Sequence, residues 1–230
     1  MGEQIMHFIR FESAEAVAEE TARRISAAAR RAIEAHGRFR CVLAGGRTPL
    51  AAYDRLVHQP EDWAHWHLFL GDERCLPPDH PERNSRAIAL ALTERVPIPP
   101  DNLHWIPAES GAESAAKRYD ALIADRMPFD LILLGMGEDG HTASLFPGHV
   151  TPTNVRAAPV HEAPKPPPDR VTLTPLALAA APQRLILVTG AGKREALAAW
   201  RRGADLPVAR VAALGRTDVL MDPDAAGDWP

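Results

Sequence analysis

Arg40-Cys41-Val42-Leu43-Ala44-Gly45-Gly46-Arg47-Thr48-Pro49 runs from an apolar stretch through two glycines into a Thr-Pro pair. This order reads as a buried strand, a tight turn and a helix start, with Thr48 as N-cap and Pro49 at the first helical position. The pattern recurs along the chain. His67 to Leu70, Phe129 to Leu134 and Leu185 to Thr189 are apolar runs that each pass into a glycine-containing turn. Helical patterns at Pro49 to Val57, Ala112 to Asp125 and Arg194 to Trp200 separate most of them. Strands that are apolar on both faces need cover on both faces, so the alternation predicts an α/β fold with a mostly parallel sheet. Ligands of such sheets gather at the carboxyl ends of the strands.

Upstream, Ser13 is a plausible N-cap for an amphipathic helix in which Ala18, Ala22, Ile25, Ala29 and Ile33 share one face, closed by Gly37. Glu19 with Arg23 and Glu20 with Arg24 stand four apart in the favourable order on the solvated face. The five prolines between Pro159 and Pro168 read as a loop within one body, because Arg170 to Thr174 resumes strand-like alternation. A single domain over residues 1–230 is the expectation, with 46% hydrophobic residues to fill its core.

The composition narrows the function classes. With 26 Lys and Arg against 30 Asp and Glu, the formal charge is −4, and no basic run exceeds a pair, which argues against nucleic acid as a partner. No apolar run reaches the roughly 18 residues of a membrane span. The stretch Met1 to Met6 lacks the apolar run of a secretory signal. Cys41 and Cys75 lack metal-ligand spacing and read as free thiols, which fits a reducing cytoplasm. His65 and His67 share a strand face at spacing two but have no third ligand, so no metal and no cofactor are expected. Trp63, Trp66 and Trp105 read as core or rim packing.

Candidate chemistry lies in the turns. The Gly45-Gly46-Arg47-Thr48 turn exposes N–H groups at a helix N-terminus and suits a phosphate, although a ligand-free turn has the same appearance. Thr189-Gly190-Ala191-Gly192-Lys193 repeats the geometry and puts a lysine in a first helical turn, where the helix dipole opposes it. A bound anion would reverse that penalty; a solvated lysine is the other reading. Gly135-Met136-Gly137-Glu138-Asp139-Gly140 matches a dinucleotide fingerprint, yet Glu138 and Asp139 oppose a pyrophosphate and no ribose-binding acid follows. The turn is better read as aiming His141 into the cleft as a general base. Ser144 lacks the G-x-S-x-G setting of a nucleophile. In Gly71-Asp72-Glu73-Arg74, adjacent acids on extended backbone point apart, so one faces the cleft and the other anchors the loop. Arg74 reads either as an oxyanion partner or as a surface ion pair.

These motifs in this order, with Asp139-Gly140-His141-Thr142-Ala143-Ser144-Leu145-Phe146-Pro147, Arg170-Val171-Thr172 and Gly192-Lys193, resemble the 6-phosphogluconolactonase family over roughly residues 40 to 195. The resemblance implies a Rossmann-like fold shared with glucosamine-6-phosphate deaminases. It also implies hydrolysis of 6-phosphogluconolactone in the oxidative pentose phosphate pathway. It makes His141 the residue that activates water, puts Arg74 near the lactone, and puts Arg170 and Lys193 on the phosphate with Gly45, Gly46 and Thr48 in the phosphate loop. Ala44 and Arg47 replace the serines more usual there, and Arg47 offers a charge-assisted contact instead. Asp72 stays open between two roles: the related deaminases use an acid near this point for proton transfer, a step that lactone hydrolysis need not include. The competing expectations are an amino-sugar-phosphate deaminase or isomerase, and a sugar-phosphate sensor without turnover.

Overall fold

Residues 6–228 are described by a computed structural model. The chain begins with β1 (Met6–Arg10), α1 (Ala14–His36), β2 (Phe39–Leu43), α2 (Arg47–Leu56), β3 (Trp66–Leu70) and β4 (Asp72–Arg74). It continues through α3 (Asn84–Ile88), β5 (Leu103–His104), α4 (Ala112–Ala124), β6 (Leu131–Gly135), β7 (Ala157–Val160) and β8 (Arg170–Leu173). The last part holds α5 (Pro175–Ala179), β9 (Arg184–Val188), α6 (Arg194–Arg201), α7 (Pro207–Ala212), β10 (Thr217–Met221) and α8 (Pro223–Ala226).

Among the described residues, seven strands form a parallel sheet in the order β1-β10-β9-β6-β2-β3-β5, flanked by helices. The chain steps outward from β2 to β3 and β5, then returns to β6 on the other side of β2. This reversal opens a crevice beyond the carboxyl ends of β2 and β6, where open α/β sheets bind their ligands. A smaller antiparallel sheet, β4-β8-β7, grows directly from the end of β3. Gly71 joins the two, donating to the Leu43 carbonyl at 3.1 Å and accepting from the Leu173 amide at 2.8 Å.

The four apolar runs become β2, β3, β6 and β9, each starting or ending within two residues of its expected bounds. The expected cap at Ser13 is present, its hydroxyl accepting from the Ala16 amide at 3.1 Å, and Gly37 closes α1 with φ 77°. The start of α2 differs from expectation: Gly46 caps it, with φ 101°, and Arg47 is its first residue. A left-handed glycine makes the turn by backbone alone, and the Thr48 hydroxyl turns instead to Thr189 Oγ1 at 2.5 Å. On α1 the expected Glu20–Arg24 pair is present at 2.6 Å, whereas Arg23 pairs with Glu20, also at 2.6 Å, and not with Glu19.

Two tyrosines brace the strand ends beside the crevice. The buried Tyr53 phenol of α2 donates to the Ala44 carbonyl at 2.9 Å and accepts from the Ala44 amide at 3.0 Å. Tyr119 of α4 does the same for Leu70, at 3.0 and 2.9 Å. Each phenol thereby satisfies backbone groups that the ladder leaves open where a strand turns away. One continuous core joins both sheets, and a small satellite of Phe146, Val160 and Ala163 lies beneath the proline-rich loop. Trp63 and Trp66 belong to the main core, with Trp105 packed against it. Cys41 is buried, Cys75 half-buried, and neither is in a disulfide. No described helix is long and apolar enough to cross a membrane. The N-terminal leader reading falls largely on residues 1–5, outside the described residues.

Candidate active site

A cleft of about 340 Å³ occupies the crevice, walled by the ends of β2, β3, β6 and the turn after β9. Ala44, Gly45 and Gly46 line it from β2, Gly71, Asp72 and Arg74 from β3 and β4, and Lys193 from the start of α6. Leu133 to Gly137 supply the floor from β6, followed by His141 and Ala143; Lys165, Pro166 and Arg170 close one side. Its volume is in the usual range for small-molecule sites.

His141 is held in one orientation. Its Nδ1 lies 2.5 Å from Asp139 Oδ1, which also accepts from the His141 amide at 3.2 Å. Burial alone would raise the Asp139 carboxyl, but the imidazole and the neighbouring amides outweigh it and hold the group below the usual carboxylate range. An ionised carboxylate only accepts, so neutral His141 carries its proton on Nδ1 and keeps the Nε2 lone pair free. A Cβ at Gly137 would overlap the imidazole, so this position of the G-x-G turn is glycine to seat the histidine. Phe146 packs on the ring with centroids 4.7 Å apart. The turn that mimics a dinucleotide fingerprint is thus a histidine mount.

The two acids after β3 divide their work as the sequence implied. Glu73 is fully buried and accepts from the Arg74, Asn84 and Ser85 amides at 2.9, 2.8 and 2.8 Å, which fixes the start of α3. Asp72 faces the cleft and accepts from Ser144 Oγ at 2.6 Å and Asn84 Nδ2 at 3.2 Å. Ser144 is buried and engaged with that carboxylate, unlike a nucleophile poised for attack. Asn84, a cleft residue that the sequence reading passed over, also explains Gly45: a Cβ there would collide with its side-chain oxygen.

Arg74 and Arg170 stand directly opposite each other on antiparallel strands, and both line the cleft. Like charges in that register repel, so their retention side by side favours an anionic guest. Arg74 Nη1 donates to the Glu82 carbonyl. Arg170, 5% exposed, donates to the carbonyls of Lys165, Pro166 and Pro167, and its guanidinium lies 5.4 Å from the Phe146 ring centre. Burial lowers its pKa first of all, Asp72 opposes the shift and Arg74 adds to it.

The expected phosphate turns lie on the same edge of the sheet, cross-linked by the Thr48 to Thr189 hydrogen bond. They do not contribute alike. Gly45, Gly46 and Lys193 wall the cleft, whereas Arg47 and Thr48 line an adjoining depression with Thr189, Gly190 and Asp222. Lys193 is half-buried; burial lowers its pKa, with Glu138 opposing and Lys165 and Arg47 adding. His65 and His67 do not share a strand face: His65 sits in a 3-10 turn beside Asp62, and His67 meets His104 across β3 and β5. Among the described residues, no three His, Cys, Asp or Glu side chains gather as a metal site.

Comparison with known proteins agrees with this geometry. The family described as glucosamine-6-phosphate isomerases/6-phosphogluconolactonase matches residues 12–220. The chain is 35% identical over 227 residues to a 6-phosphogluconolactonase of Mycobacterium leprae, covering 90% of this chain and 92% of that protein. The crystal structure of 6-phosphogluconolactonase from Thermotoga maritima superposes with a TM-score of 0.88 at 31% identity, over 94% of this chain and 99% of that one. A monomeric glucosamine-6-phosphate deaminase shares the fold, with a TM-score of 0.82 at 22% identity over 96% and 99%. The chain belongs to the glucosamine-6-phosphate isomerase/6-phosphogluconolactonase family.

Proposed function

We propose that this protein hydrolyses 6-phospho-D-glucono-1,5-lactone to 6-phosphogluconate, as the oxidative pentose phosphate pathway requires. The observation that carries the reading is the Asp139–His141 pair, which leaves one imidazole lone pair free in a cleft that also holds Arg74, Arg170 and Lys193. His141 Nε2 takes a proton from water as the water oxygen bonds to the lactone carbonyl carbon. Arg74 stabilises the oxyanion that forms. When the tetrahedral intermediate collapses, the bond from carbon to ring oxygen breaks and the imidazolium returns its proton to that oxygen. Asp72, fixed by Ser144 and Asn84, accepts from a sugar hydroxyl and orients the ring.

Lys193 and the Gly45–Gly46 backbone receive the phosphate. Arg47 adds field from the adjoining depression, Thr48 ties the two turns together, and Arg170 adds positive charge while holding the proline-rich loop. An activated ester needs a base and oxyanion stabilisation, and these side chains supply both without a cofactor. Residues 1–230 act as one sugar-phosphate-binding domain, in the cytoplasm, with a small molecule as partner.

Acid release from freshly generated 6-phosphogluconolactone, in EDTA and above the spontaneous rate, tests the reading. Ammonia release from glucosamine 6-phosphate with no lactone opening would replace it with the deaminase. Tight binding of 6-phosphogluconate without turnover of either compound would replace it with the sensor.

A further inference from the structure

The proline-rich loop carries into the cleft a cation that the reaction above leaves unused. Lys165 and Pro166 line the cleft, and Lys165 Nζ lies 3.2 Å from Glu138 Oε2. The loop is held in place: Arg170 Nη2 donates to the Lys165 and Pro166 carbonyls at 2.7 and 3.2 Å, and its Nε to Pro167 at 3.1 Å. The Ala163 amide bonds to the Pro168 carbonyl at 3.0 Å, and Val160 and Ala163 close over Phe146. Glu138 belongs to the turn that mounts His141, and its carboxylate also comes close to Gly192, beside Lys193. Glu138 thus pairs with Lys165 from the loop and lies within electrostatic reach of Lys193 from the turn before α6. The Lys165–Glu138 pair is exposed, 51% and 60%, and such a pair is weak enough for a stronger anion to displace.

We propose that Glu138 is a resident counter-ion which the substrate phosphate displaces, so that Lys165 and Lys193 close on the phosphate from two sides. This rests on the reading of the substrate as a phosphorylated lactone. In the free protein Glu138 offsets part of the repulsion between the ammonium groups. A phosphate dianion offers more charge and more acceptor oxygens than a carboxylate, and exchange costs only an exposed ion pair. Lys165 is then a determinant of specificity for the phosphorylated substrate.

Calorimetric binding of 6-phosphogluconate and of inorganic phosphate, with KM for the phosphorylated lactone, tests this in Lys165→Met, Lys165→Arg and Glu138→Gln. Lys165→Met weakens both ligands and raises KM by about tenfold, the usual worth of one charge-assisted contact. Lys165→Arg retains most of the affinity, and Glu138→Gln tightens binding by about threefold because a competitor and a repelling charge are gone. If Lys165 merely tethers the loop, Lys165→Met and Glu138→Gln break the same bond and shift binding in the same direction. That result, or unchanged affinity in Lys165→Met, overturns the proposal. Binding is read without turnover, so the two readings fail separately. A chain that opens no lactone overturns the hydrolase while opposite shifts still support the clamp, and normal hydrolysis with like shifts overturns the clamp alone.

Discussion

Asp139 Oδ1 and His141 Nδ1 lie 2.5 Å apart across a single intervening glycine, so the base and its orienting acid come from the same turn. The carboxylate selects the Nδ1–H tautomer, and a neutral amide would not enforce it. Asp139→Asn should therefore lower kcat by about 10- to 10³-fold while KM changes little, since the base is mispositioned and the sugar contacts remain. A parallel rise in KM would indicate that Asp139 contributes to substrate binding instead.

Gly137→Ala tests the same mount sterically. A methyl group there overlaps the imidazole, so the side chain must rotate away or the turn must shift. The expected outcome is a folded protein with a Tm within a few degrees of wild type and a loss of turnover of about 10²-fold. Full activity in Gly137→Ala would show that the seat is not as tight as the contact requires.

Much of the parallel sheet was legible because its central strands are buried on both faces, as Arg40 to Ala44 and Phe129 to Leu134 announce. β10 escaped, although all five of its residues are buried, because Asp218 interrupts the apolar run. That carboxylate is paid for by distant partners, His7, Arg24 and Gln183, which a local pattern does not reveal. β4 is Asp-Glu-Arg, and only its pairing with β8 makes it a strand. The site divides in the same way. His141 and Lys193 stand in turns that follow strands, and Asp72 and Arg74 in the short β4 just after β3, so all four could be read in order. Asn84 reaches the cleft because its amide bonds to Glu73, eleven residues earlier, and Lys165 because Arg170, five residues on, holds the carbonyls of an irregular loop that has no periodic pattern to read.

Lys193→Ala should cost the phosphorylated lactone about tenfold or more in kcat/KM and change an unphosphorylated lactone little, because a lost charge-assisted contact is worth roughly 1.5–3 kcal/mol. Arg170→Ala should impair both substrates, since its guanidinium also holds three loop carbonyls and packs over Phe146. Equal losses toward both substrates in Lys193→Ala would move that lysine from phosphate recognition to structure.

Stability should fall in mild acid because of a histidine remote from the cleft. His104, 7% exposed and stacked on Phe69, has its pKa pushed from 6.5 to about 4, chiefly by burial and further by Arg126 and His67. Above pH 6.5 it is neutral folded or unfolded, and its environment costs nothing. Between 6.5 and 4 the unfolded chain takes up the proton first, so stability declines through that window by up to about 3 kcal/mol. His104→Phe, which preserves the stack, should flatten the dependence of the urea midpoint on pH over this range. An unchanged slope would remove His104 as its source.

Replacing His141 gives the sharpest test of the chemistry. Water is a poor nucleophile until a base takes its proton, and the Nε2 lone pair is the acceptor that the Asp139 bond leaves free. His141→Gln fills similar space without a basic nitrogen, so folding and affinity for 6-phosphogluconate should persist while kcat falls by about 10²- to 10⁴-fold. Spontaneous opening of the lactone must be subtracted, since it sets the floor against which the residual rate is measured. A folded His141→Gln protein with near wild-type turnover would remove the histidine from the mechanism. Asp72 would then be the group to test as base, since Glu73 is sealed in the core by three backbone amides.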